Sequence, residues 1–96
     1  MNREEIIQKL KEVKPLLEKE YGILRVGIFG SVARGEAGKG SDIDILIEKE
    51  RPLPLTKFIR IKLLLEEKLG QRVDLVTSEG LKPEIQKEVE KEVIYV

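Results

Sequence analysis

Apolar residues recur at Ile6, Ile7, Leu10, Val13 and Leu17, the three- and four-residue spacing of one helix face. Asn2 precedes the run as an N-cap, and Glu5, three residues on, completes a capping box. The pattern predicts a first helix to about Glu20, stopped by Gly22. Pro15 should kink that helix or split off its last turn, because it removes a backbone donor. The periodicity then changes. Residues 24–29 (LRVGIF), 42–48 (DIDILIE) and 72–77 (RVDLVT) are short, β-branched runs and read as strands. Gly30-Ser31 follows the first strand at once and leads into a short helix-compatible stretch, residues 32–35. The polar, glycine-rich EAGKG at 36–40 is a loop. After Pro52 and Pro54, residues 55–69 form a long helix closed by Gly70. Pro83 suits the start of a last helix, from Lys82 to about Glu90, and the tail 93–96 could add a short edge strand.

The resulting order is α-β-α-β-α-β-α: an α/β (α+β) fold, read as one domain spanning residues 1–96, with a small sheet flanked by helices. The link between the first two strands leaves little room for a crossover helix, so a mixed sheet is expected. In the 55–69 helix, Leu55, Phe58, Ile59, Ile61, Leu63, Leu64, Leu65 and Leu69 spread over roughly 260° of the circumference at about 100° per residue. One core face does not need that much. Either the helix is sandwiched within the domain, the favoured reading, or part of it meets another chain.

Composition narrows the chemistry. Of 96 residues, 41% are hydrophobic, which suits a globular fold and argues against a disordered chain. Lys+Arg and Asp+Glu number 18 each, giving no net charge, so direct nucleic-acid binding through phosphates is not expected. Cysteine and histidine are both absent, which removes thiolate sites and His-based acid–base or zinc chemistry. Any metal must sit on oxygen ligands, as magnesium, manganese or calcium do. No apolar run approaches the roughly 20 residues of a membrane span and no signal peptide opens the chain. A soluble cytoplasmic protein with no membrane association is expected.

The acids are unevenly used. Only Asp42, Asp44 and Asp74 are aspartates among the 18 acidic residues, and all three fall in strand-like segments, where aspartate is normally depleted. Residues two apart on a strand share a face, so Asp42 and Asp44 project together while Ile43, Ile45 and Ile47 take the other side. If the strand carrying Asp74 lies alongside, about 4.8 Å away, a triangle of carboxylates results. Such charges repel one another, and a divalent cation or a pair of them relieves the repulsion. Gly30-Ser31, at a strand-to-helix turn, can offer backbone N–H groups and a hydroxyl to an anion. Phosphate beside metal-holding carboxylates is what phosphoryl or nucleotidyl transfer requires. Two familiar phosphate motifs are absent. Ala33 stands where a Walker A loop needs its first glycine, Gly40 stands where it needs Ser or Thr, and no GxGxxG surrounds Gly27 and Gly30.

The stretch GSVARGEAGKGSDIDILI resembles the signature of the minimal nucleotidyltransferases of the DNA polymerase β-like superfamily: Gly30-Ser31, ten residues, then Asp42-x-Asp44. Arg34-Gly35 and Ser41 match common accompaniments of that motif, and Asp74 in VDLV matches the third acid. The resemblance covers nearly the whole chain and implies a nucleotidyltransferase fold. It also implies two magnesium ions on Asp42 and Asp44, with Asp74 helping to activate the incoming hydroxyl. Gly30 and Ser31 would hold the triphosphate of ATP, with Arg34 and Ser41 as further candidates. Short members of this family resemble the antitoxin half of HEPN/MNT toxin–antitoxin pairs, in which the antitoxin adenylylates a tyrosine of a ribonuclease toxin. Two alternatives stand beside that expectation: an antitoxin that works by occlusion alone, or an enzyme modifying a small molecule, which in so short a chain would need an oligomer to build the acceptor pocket. Arg34 could equally pair with a surface Glu, and the many Glu and Lys read as a solvated, partly paired surface.

Overall fold

The computed structural model describes residues 1–36 and 42–96. Its elements are α1 (Arg3–Tyr21), β1 (Ile23–Phe29), α2 (Gly30–Ala33), β2 (Ile43–Lys49), α3 (Leu55–Leu69), β3 (Val73–Thr77), α4 (Pro83–Glu92) and β4 (Ile94–Tyr95), with a 3₁₀ turn at Ser78–Gly80. The sheet order is β3-β2-β1-β4. β1 is antiparallel to both β2 and β4, whereas β2 and β3 are parallel. The sheet is therefore mixed, as the short β1–β2 link implied, and the parallel neighbours β2 and β3 are joined through the crossover helix α3.

The capping box forms as expected: the Glu5 amide donates to Asn2 Oδ1 at 2.9 Å, and the Asn2 amide donates to Glu5 Oε1 at 3.4 Å. Pro15 does not split α1, which runs as one helix to Tyr21. Pro15 is solvent-exposed, so the carbonyl it leaves without a partner can be hydrated. Buried Val13 and Leu17 hold both halves on the core. α1 and α3 cover one sheet face, where Ile6, Leu10 and Leu17 meet Ile28, Ile45, Ile47, Ile61, Leu65 and Leu75.

The opposite face is only partly covered. Leu46 and Val89 are buried there at 2% and 6% exposure, outside the main cluster, and α4 supplies Val89. Gly27 lets the C-terminal segment approach: a Cβ there would lie 2.6 Å from Val93 Cγ2 and 3.0 Å from the Tyr95 ring. α3 corrects the sequence reading. Only Ile61, Leu65 and Leu69 are buried, while Leu55, Ile59 and Leu63 are 71%, 45% and 57% exposed. The helix is not sandwiched, because the core is one helix layer deep and takes one stripe. Among the described residues no helix is long and apolar enough to cross a membrane.

Candidate active site

β1 ends where β2 and β3 begin, and the acids gather at that edge. Asp44 and Asp74 are register partners across the parallel pair, between Ile43↔Val73 and Ile45↔Leu75. The buried isoleucines turn inward, so by alternation both aspartates share the face away from α1 and α3. Phe29, the last residue of β1, pairs with Asp44 from the other side. The next residue, Gly30, therefore lies against the Asp44 carboxylate, and a Cβ at Gly30 would collide with Asp44 Oδ2. Its φ of +69° is also one that L side chains rarely adopt. Glycine is required here on both counts.

The carboxyl of Asp44 is held above the usual aspartate range. Partial burial is the main cause, followed by the charge of Asp74 and a hydrogen bond shared with it, then the charges of Asp42 and Glu92. Asp42, one residue before β2, is exposed and paired with Arg72 Nε at 3.4 Å. Consequently the triangle is not closed: among the described residues no three acids stand close enough to hold an ion as they are. The donor set nevertheless suits a hard divalent cation. It consists of carboxylate oxygens alone, and one carboxyl is already pushed toward protonation by partial burial and by the charges of its neighbours, a repulsion that a cation would relieve. The exposed Asp42–Arg72 pair is of a kind worth at most about 1 kcal/mol, so it gives way readily.

The remaining candidates divide. Ser31 is half-buried in α2, directly after Gly30. Arg34 takes the alternative its charge left open: its Nε donates to Glu36 Oε2 at 3.0 Å and its Nη1 to Glu92 Oε2 at 2.8 Å. Ser41 lies outside the described residues. Glu92 is the residue that sequence reasoning missed, having been grouped with the solvated glutamates. Its Oε1 accepts the Gly30 amide at 2.9 Å, and the Gly30 amide and the Arg34 guanidinium hold its carboxyl below the usual range. A groove of about 650 Å³ runs along α4 from Pro83 to Lys91, and none of the aspartates lines it.

Carboxylates at strand ends beside a tight turn, on a mixed sheet backed by helices, define a centre that can handle a phosphate and a cation together. Comparison with known proteins places it further. Residues 5–96 match the nucleotidyltransferase domain family. The chain is 46% identical over 93 residues to protein adenylyltransferase MntA of Thermococcus cleftensis, covering 97% of this chain and 94% of the relative. It superposes on a solved, proposed minimal nucleotidyltransferase with a TM-score of 0.86 at 41% identity, covering 98% and 95% of the two chains. More distant solved chains share the fold. One comes from a toxin–antitoxin with AMP-PNP (TM-score 0.73, 23% identity, 99% and 72% covered). Another comes from a tri-AMPylated HEPN toxin of Shewanella oneidensis in complex with its MNT antitoxin (TM-score 0.63, 21% identity, 98% and 67% covered). The chain belongs to the nucleotidyltransferase domain family and is an enzyme of that class.

Proposed function

We propose that this protein transfers AMP from ATP to a tyrosine hydroxyl on a HEPN-type ribonuclease toxin in the cytoplasm, and so acts as its antitoxin. The observation that carries the reading is the Asp44–Asp74 register pair with Gly30 packed against the Asp44 carboxylate. Its support from relatives is the protein-adenylyltransferase name of the Thermococcus protein and the AMPylated toxin in the Shewanella complex.

The reaction joins the acceptor oxygen to the α-phosphorus as the bond to pyrophosphate breaks. Asp42, Asp44 and Asp74 would hold magnesium, as two ions. The chemistry such a metal would supply there is neutralisation of the charge developing on the transferred phosphoryl group and on the leaving pyrophosphate. Gly30 and Ser31 bind the triphosphate, with Arg34 and Ser41 as further contacts. In this reading Asp74, more exposed than Asp44, draws the proton from the incoming hydroxyl.

Incubation with labelled ATP, magnesium and a candidate HEPN partner should label the partner. The Asp42→Ala/Asp44→Ala variant should reduce labelling by at least about 100-fold, the scale for losing a principal electrostatic element of a site. Labelling that persists in this variant refutes the assignment. A second reading, neutralisation by occlusion, is favoured by the exposed Leu55, Ile59 and Leu63 on α3. It prevails if the double variant still silences the toxin in cells.

A further inference from the structure

Glu92 reaches the candidate site from the far end of the chain, and the backbone puts it there. β4 pairs with β1 in the register Gly27↔Tyr95 and Ile28↔Ile94, and the Val96 amide donates to the Val26 carbonyl at 2.8 Å. Two residues beyond Ile28 is Gly30, and two before Ile94 is Glu92, so the same antiparallel register sets these residues opposite one another. The close approach at Gly27 described above keeps the C-terminal segment flat against β1.

At that position the carboxylate does two things at once. Oε1 takes the Gly30 amide, for which Phe29, the residue in the N-cap position of α2, provides no side-chain acceptor. Oε2 takes Arg34 Nη1. A neutral acceptor could satisfy the Gly30 amide without adding charge near Asp44, whose carboxyl Glu92 helps to push up. Only a carboxylate accepts from both an amide and a guanidinium with full strength. Guanidinium has five N–H donors in a rigid plane, and Arg34 commits Nε and Nη1 to Glu36 and Glu92, with no partner for Nη2 among the described residues.

We propose that Glu92 is a positioning residue for nucleotide: by bridging the Gly30 amide and the Arg34 guanidinium it aligns the Gly30-Ser31 turn and Arg34 before the triphosphate arrives. The inference rests on the nucleotide reading of the site proposed above. Aligning donors in advance improves affinity by removing an ordering cost at the moment of binding.

The test is calorimetric titration of the full chain with magnesium-ATP, alongside thermal melts, for wild type, Glu92→Gln, Glu92→Asp and Val89→Ala. Glu92→Gln can still accept from Gly30 but turns an N–H₂ toward Arg34, and should weaken binding by about 10-fold, the scale of one charge-assisted hydrogen bond. Glu92→Asp keeps the charge and should recover part of the loss. Val89→Ala loosens α4 without touching the turn, so it should lower the melting temperature and leave affinity within about twofold. In an Arg34→Ala background, Glu92→Gln should cost clearly less than in wild type, because the two act through one contact. Affinity unchanged in Glu92→Gln overturns the proposal. Tighter binding also overturns it, showing a carboxylate that nucleotide must evict. Failure of both Glu92 variants to fold would overturn it too, in favour of a purely structural role. If wild type itself does not bind magnesium-ATP, the nucleotide reading fails, which is a distinguishable result.

Discussion

The two faces of the sheet follow opposite rules. Under α1 and α3, Leu10, Leu17, Ile28, Ile45, Ile47, Ile61 and Leu65 are essentially fully buried, and no buried polar or charged residue interrupts them among the described residues. On the other face, at the β1–α2 edge, Asp44 is half-buried beside Asp74, and Gly30 has a positive φ against it. The first region lowers the free energy of the folded chain. The second raises it, through like charges in partial burial. β2 serves both: buried Ile43, Ile45 and Ile47 fix the strand on the core, and Asp44 stands on its reverse.

Truncation on the apolar face should give the largest change in stability. Leu10→Ala or Leu65→Ala should cost about 2–5 kcal/mol, read by denaturant unfolding, because transfer and cavity terms add. At a few degrees per kcal/mol for a domain of this size, melting should fall by roughly 10 °C or more. A much smaller loss would show that the face is less tightly packed than its burial implies.

Next comes Gly30→Ala, which forces a side chain into a positive-φ site and against Asp44. A penalty of about 1–3 kcal/mol is expected from the backbone alone, together with loss of magnesium-ATP binding in titration. Retained binding would show that the turn need not sit against the acid.

Asp44→Asn should act in the opposite direction on stability. A carboxyl whose folded pKa is raised binds more protons in the folded state, so it lowers stability as pH rises from the ordinary aspartate range through the folded value. The Asn variant should therefore melt higher than wild type at neutral pH, with the gain fading toward acidic pH while transfer activity is lost. Added magnesium should raise wild-type melting and leave the variant's nearly unmoved. A variant that melts lower at neutral pH would show that the Asp44 charge is compensated. The smallest effect is expected from Arg25→Ala, which breaks the exposed Glu48 pair at 2.7 Å and the stacking on Tyr95 at 4.1 Å. Its small loss in melting temperature should shrink further in salt.

How much of this was legible from residues alone differs between the same two regions. The elements of the apolar face emerge from periodicity almost to the residue, α3 at Leu55–Leu69 included, because helix and strand repeats are local. At the acid edge, Gly30-Ser31 and the three aspartates stand out by residue type and spacing. Glu92 does not: it is one of many glutamates near a helix end, and only the β4–β1 register makes it the acceptor of the Gly30 amide. The exposed stripe of α3 was equally hidden, since a helix pattern shows how much apolar surface exists and not how much the core can take.

The amino-acid order by itself determined the elements, the oxygen-only donor chemistry and the residues around which the site is built, because capping, periodicity and side-chain type act over a few positions. Which acid meets which partner was decided only by tertiary structure. Asp44 reaches Asp74 across a parallel pair, Asp42 turns to Arg72, and Arg34 and Gly30 share Glu92. Each contact joins segments about 30 to 60 residues apart, and strand register, a cooperative property of the whole sheet, sets them.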